Sequence, residues 1–210
     1  MDARETNETI NTADTKNAVD TPLFVLLHGF ASNERDLPML MDFIAPCAPW
    51  VSLRAPMNLG FNAHAWIPLD EWQNDTLIAV ARADLLTWIK DNVPETRKII
   101  PFGFSQGALM ASEVLRSIPE RCAAGLVLSG FINPVPHIAD SSLADSNVPV
   151  FVAYGEDDDI VPPAFLTQAT EWFASNSNAT IKTYANTPHS IAIEELEDIK
   201  AWISAIVEGQ

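Results

Sequence analysis

A mostly parallel β-sheet with helices packed on both faces is the architecture predicted for this chain, and three observations predict it. Six short apolar runs punctuate the sequence, at Leu23–Leu27, Trp50–Leu53, Lys98–Phe102, Gly125–Ser129, Val148–Tyr154 and Thr180–Tyr184. Runs of this length and continuity read as strands buried on both faces. Longer amphipathic stretches alternate with them, at Glu34–Ile44, Asp75–Asn92, Gln106–Ser117, Pro163–Ser175 and Ile191–Glu208, and these read as helices. The composition completes the case: 210 residues, 48% apolar and 19% charged, supply one substantial core, with no internal repeat and no second domain boundary.

Taken in order, residues 1–20 are rich in Thr, Asn, Asp and Glu with almost no large apolar side chain, which predicts a disordered polar tail. Residues 21–210 form the single folded domain. Asn92-Val93-Pro94 and Ile118-Pro119 are helix stops, since proline cannot continue a helix and biases the preceding residue away from it. Ala55–Asn74, with prolines at 56 and 68, is the longest irregular stretch in the first half. It is too short for a lid domain, so any site beside it is expected to be shallow and open.

Formal net charge is −16. The first 21 residues hold five acids and two bases, so most of the negative charge belongs to the folded part. Such a surface repels nucleic acid and anionic lipid, and no Lys/Arg run counters it. No segment approaches the roughly 20 apolar residues that span a bilayer, and the polar start Met1-Asp2-Ala3-Arg4-Glu5 has no signal-peptide character. A cytoplasmic protein without stable membrane insertion is expected. Cys47 and Cys122 form no C-x-x-C pair and are expected reduced and buried. His28, His64, His137 and His189 have no metal-ligand spacing, so no metal or other cofactor is expected.

The chemistry sits at residues 103–107, Gly-Phe-Ser-Gln-Gly, between an apolar strand and the helical run Ala108–Leu115. A serine at such a junction is held on a sharp turn with its hydroxyl projecting from the sheet edge. Glycines at 103 and 107 suit the crowding of that turn. Ser105 is therefore the candidate nucleophile. A serine hydroxyl needs a base, an acid to orient the base, and donors for an oxyanion. In a sheet of this kind the acid and the base follow the serine, each on a loop after a strand. Gly155-Glu156-Asp157-Asp158-Asp159 follows one strand, and Asp157, Asp158 and Asp159 are equally placed to be the acid, although some of these carboxylates serve a solvated turn. His189, after the last strand, is the base; His28, His64 and His137 precede the acid and do not fit this order. His28 instead shapes the loop after the first strand. The expected oxyanion donors are the backbone N–H groups of Phe30 on that loop and of Gln106 next to the serine.

These residues, in this order, resemble the phospholipase/carboxylesterase family of α/β-hydrolases, which includes the acyl-protein thioesterases, and within it the small bacterial esterases. The resemblance rests on Leu26-Leu27-His28-Gly29-Phe30 with Ser32–Leu37, Leu53-Arg54-Ala55-Pro56, Ala65-Trp66-Ile67-Pro68, Gly103–Ala108, Leu128–Phe131 and Gly155–Pro162. It runs from about residue 22 to the end. It implies the α/β-hydrolase fold with little or no cap, Ser105 as nucleophile, Asp158 as the acid among the three, His189 as base, and Phe30 and Gln106 as oxyanion donors. Ala31 stands where the family usually has glycine, and Thr187-Pro188-His189 lacks the glycine often found before this histidine.

The resemblance places Trp66 beside the site, and Phe30, Phe61, Trp72 and Phe131 are candidates to join it in an apolar acyl groove. Arg54 is the one basic residue considered for an anionic substrate group. The expectation is a serine carboxylesterase for neutral esters of short-to-medium acyl chains. The alternatives are an acyl-protein thioesterase or lysophospholipase acting on long chains, or a non-catalytic ligand-binding module. The partner is a small ester or thioester, and apolar surface around a shallow site would allow a homodimer.

Overall fold

The computed structural model describes residues 9–11, 21–137 and 140–208. Its main sheet has seven strands, and in spatial order they are β1 (Thr9–Asn11), β3 (Trp50–Leu53), β2 (Leu23–Leu27), β6 (Ile99–Phe104), β7 (Gly125–Leu128), β8 (Pro149–Gly155) and β9 (Asn178–Tyr184). Among the described strands of this sheet, only β1, on one edge, runs antiparallel; every other pairing there is parallel. A separate two-stranded hairpin joins β4 (Met57–Gly60) to β5 (Ala63–Ala65).

Side chains alternate across the strands and so build two cores. Leu23, Val25 and Leu27 face one cluster, shared with Ile78 and Leu85 of α2 (Asp75–Asn92), Leu109 and Val114 of α3 (Gln106–Ser117), Leu143 of α4 (Asp140–Ser146) and Phe173 of α5 (Pro163–Asn176). Phe24 and Leu26 face the other, with Met41 and Ile44 of α1 (Pro38–Ile44) and Ile199 and Ile203 of α6 (Ile193–Glu208). Covering both faces is what lets the strands be apolar throughout. It also leaves the C-terminal strand ends as the place where loops gather, and the chain leaves β2, β6, β8 and β9 there.

The structure departs from the sequence reading at several points. The helix expected over Glu34–Ile44 begins only at Pro38, whose locked φ suits the first helical turn. Glu34 is buried instead in an ion pair with Arg54. The stretch taken as irregular, Ala55–Asn74, contains the β4–β5 hairpin and a 3-10 turn at Leu69–Glu71. Helix α4 was not foreseen. Thr9–Asn11, inside the expected disordered tail, pairs with Val51–Leu53 of β3 because β3 would otherwise leave its ladder groups unpaired; the rest of that tail lies outside the described residues. Cys122 is buried, and its thiol is pushed up to about 12 by burial. Cys47 is exposed, contrary to expectation, because α1 ends at Ile44 and the chain turns over the surface before β3.

The segment that follows β7 is held by a buried ionic network. Arg116 of α3 donates to both carboxylate oxygens of Asp140, at 2.8 and 2.9 Å, and to the carbonyls of Asn133 and Val135. Its neighbour Glu113 is fully buried between Arg116 and Arg82. Removing one partner leaves the others as uncompensated charge, which is costlier than the pair is stabilising. Arg116→Met is therefore expected to lower unfolding stability by about 3 kcal/mol, as a fall in the urea midpoint at unchanged slope.

Candidate active site

Ser105 closes β6 and precedes α3 with φ 56° and ψ −119°, a conformation that L-residues rarely adopt. The turn survives because its flanks fit nothing larger than glycine. A Cβ on Gly103 would overlap the carbonyl of Gly107, and one on Gly107 would overlap the carbonyl of Leu27 at the end of β2. The Ser105 N–H is tied to Leu128 of β7 at 2.9 Å, which fixes the elbow against the sheet.

The structure brings Ser105, His189 and Asp158 into one hydrogen-bonded chain. His189 Nε2 lies 2.9 Å from Ser105 Oγ, and His189 Nδ1 lies 2.7 Å from Asp158 Oδ2. The other Asp158 oxygen accepts the backbone N–H groups of Ile160 and Val161, both at 3.0 Å. Asp158 thus has both carboxylate oxygens engaged and is buried, whereas Asp157 and Asp159 are exposed. This separates the three aspartates that local sequence left equivalent. The imidazole is packed beside the Phe104 ring, centroid to centroid 4.9 Å, and its side chain is 14% exposed, so a substrate can reach its edge. The Asp158 and His189 loops are joined by the Asp157 N–H, which donates to the Thr187 carbonyl at 3.0 Å.

The N–H groups of Phe30 and Gln106 have no acceptor among the described residues and flank the serine turn from β2 and from the start of α3. A helix N-terminus favours an anion at such a point. His28, expected from the sequence to shape this loop, holds it together with Trp66 and the Gln106 side chain, whose bracing roles were not foreseen. His28 is fully buried, and burial keeps its imidazole below the usual range, hence neutral. Its Nε2 accepts the Ala55 N–H at 3.1 Å, so Nδ1 carries the proton and donates to the Gly29 carbonyl at 2.8 Å. Trp66 Nε1 donates to the His28 carbonyl at 2.9 Å. Trp66, expected to line a groove, is only 4% exposed and braces the loop after β2 from behind.

The Gln106 side chain completes the brace. Its Oε1 accepts the Trp66 N–H at 2.8 Å, and its Nε2 donates to the Ile67 carbonyl at 2.9 Å, so a side-chain amide stands in for a missing strand neighbour. The signal for this was a lone amide at the head of an otherwise apolar helix face. Arg54, considered for an anionic substrate, is engaged by both oxygens of Glu34 at 2.7 Å. Of the other aromatic candidates, Phe61 is fully exposed on the β4–β5 turn and Phe30 is half-buried. Phe131 is buried edge-on against Trp72, which meets Phe165 in the same way.

Replacing Gln106 tests this brace without any assay of turnover. Gln106→Leu keeps the volume but strands the Trp66 N–H and Ile67 carbonyl, and is expected to cost about 2 to 4 kcal/mol, read as a lower thermal midpoint. Gln106→Glu, which retains the acceptor, should fall between Leu and the native residue.

Comparison with known proteins shows the family. The family model described as Phospholipase/Carboxylesterase matches residues 8–207. Acyl-protein thioesterase 1 of Kluyveromyces lactis is 28% identical over 178 residues, covering 77% of this chain and 76% of that one. A putative hydrolase, MhqD, of Bacillus subtilis is 25% identical, with 86% and 91% covered. Among solved structures, the Bacillus cereus carboxylesterase superposes with a TM-score of 0.78 at 18% identity, covering 96% of this chain and 95% of that one. Esterase PE8 gives 0.74 at 26% identity, covering 95% and 99%. With a family match over nearly its whole length, the chain belongs to the phospholipase/carboxylesterase family of α/β-hydrolases and is a serine hydrolase of the carboxylic-ester type.

Proposed function

We propose that this enzyme is a carboxylesterase for small, neutral esters of short-to-medium acyl chains, working in the cytoplasm through Ser105, His189 and Asp158. The observation that carries the reading is the continuous hydrogen-bonded chain from Ser105 Oγ through the imidazole to a buried carboxylate. Ser105 Oγ attacks the acyl carbonyl while His189 Nε2 takes its proton, and the N–H groups of Phe30 and Gln106 receive the oxyanion. Collapse expels the alcohol, which leaves with the proton held by His189. Water then gives a proton to the same nitrogen, attacks the acyl-enzyme and releases the acid. Asp158 holds Nδ1–H, so that the lone pair on Nε2 faces the serine. These steps need no metal or organic cofactor.

One observation favours neutral substrates. Arg54 is engaged by Glu34 and is not offered to a phosphate or free carboxylate. The second reading, a thioesterase for long acyl chains on proteins, is favoured by the curated relatives that carry the name Acyl-protein thioesterase 1.

Hydrolysis of p-nitrophenyl esters of increasing acyl length separates the two readings. We expect kcat/KM to peak at short-to-medium chains and to fall for long ones; a steady rise with length, together with release of long acyl groups from a protein thioester, would favour the second. Ser105→Ala is expected to lose turnover by about 10⁴-fold or more while folding normally, together with the single adduct that a fluorophosphonate leaves on the native protein. Asp158→Asn should reduce kcat by about 10⁴-fold by favouring the wrong histidine tautomer. Asp157→Asn and Asp159→Asn should retain activity.

A further inference from the structure

Glu34, Glu113 and Glu195 are each almost or completely buried. Glu34 meets Arg54, and Glu113 meets Arg82 and Arg116. Glu195 meets no cation among the described residues. Its Oε2 receives the Ala192 N–H at 3.4 Å, and its Oε1 is buried without a hydrogen-bond partner. Asp198 lies one turn further along the same helix, and Tyr184 of β9 donates its hydroxyl to Asp198 at 2.8 Å. Lys182 of β9 pairs with Asp198 at 3.4 Å, and Glu194 beside it is exposed.

The location gives this residue its interest. Glu195 is the third residue of α6, and only Ser190–Ala192 separate that helix from His189. On its upstream side the histidine loop is anchored to the Asp158 loop through Thr187. On its downstream side the side-chain anchor is Glu195 reaching back to Ala192, the return half of a capping box. We propose that Glu195 is a positioning residue for His189: by accepting the Ala192 N–H it seats the first turn of α6, and through residues 190–192 it keeps the imidazole between Ser105 and Asp158. The proposal rests on the triad reading given under Proposed function.

Burial, reinforced by Asp198 and opposed by the Ala192 N–H, pushes the Glu195 carboxyl up to about 7 from its ordinary 4.5. The folded state therefore holds this proton more tightly than the unfolded chain does. The contribution of Glu195 to stability is complete below the ordinary carboxyl range and is lost as pH rises through about 7. Above that, a buried anion opposite Asp198 favours relaxation of the first helical turn toward water, and the histidine loop moves with it.

Three measurements on the intact protein test this. The first is the titration of the Glu195 side-chain carboxyl by carbon-13 NMR, which needs no functional variant; a midpoint near neutrality is expected, and an ordinary carboxyl midpoint overturns the proposal. The second is the rate at which a fluorophosphonate labels Ser105, together with kcat and KM for p-nitrophenyl butyrate, from about pH 6 to about pH 9 in the native enzyme and in Glu195→Gln. The glutamine variant should hold its labelling rate and kcat on the alkaline side, about threefold or more above native at the upper end, with KM unchanged. The third is the downfield proton resonance of the His189–Asp158 hydrogen bond, which should broaden through neutrality in the native enzyme and persist in the glutamine variant. Identical pH profiles in the two proteins overturn the positioning role while leaving the triad intact. Failure of the native enzyme to label at Ser105 at any pH overturns the triad reading and this proposal together.

Discussion

Everything at this site depends on one strained turn. Ser105 sits at φ 56°, and an unfavourable backbone of this kind persists only where its surroundings over-determine it. Here the over-determination is steric and local. Helix α3 starts so close to strands β6 and β2 that Gly103 and Gly107 admit no side chain, and the Ser105 N–H is claimed by β7. The strain aims the hydroxyl out of the sheet, toward an imidazole delivered from the far side by β9. The large apolar burial on both faces of the sheet is what holds such a turn in place.

Around that turn, polar groups are arranged in two supporting shells with different jobs. One orients the proton path: Asp158, fixed by two backbone N–H groups, and the Thr187 carbonyl that joins its loop to that of His189. The other positions the oxyanion donors: His28, Trp66 and Gln106 connect three segments far apart in sequence behind the Phe30 loop. The neutral state of His28 matters to the second shell. With one nitrogen donating and the other accepting, it joins Gly29 to Ala55, and a second proton would break the Ala55 bond.

How much of this could be read from the amino-acid sequence follows from whether the cause is local. Strands such as Leu23–Leu27 and the Gly-Phe-Ser-Gln-Gly turn declare themselves through neighbouring residues, and both were legible. The acid and base loops could be placed in order as well, but local residues did not choose among Asp157, Asp158 and Asp159, where only the resemblance pointed to Asp158, because burial of one of three adjacent aspartates is a tertiary fact. The β4–β5 hairpin was missed because its strands are only three and four residues long and are held by a bridge from Ser32 to His64 and by the brace at Trp66. Helix α4, Asp-Ser-Ser-Leu-Ala-Asp-Ser, has poor intrinsic propensity and depends on Arg116 and the burial of Leu143. Trp66 was expected in an acyl groove but is buried with its indole N–H on the His28 carbonyl, and an aromatic motif does not say whether its ring faces ligand or scaffold.

The antiparallel strand β1 carries a consequence for how the protein can be handled. Composition alone would mark the first twenty residues for removal. Yet Thr9–Asn11 occupies the outer edge of β3, and without it a row of backbone donors and acceptors along Val51–Leu53 would face water. A shortened chain would keep every reacting group and still acquire a sticky margin, open to edge-to-edge pairing with another copy. The loss would show first as turbidity and drifting oligomeric size, long before any change in the chemistry at Ser105.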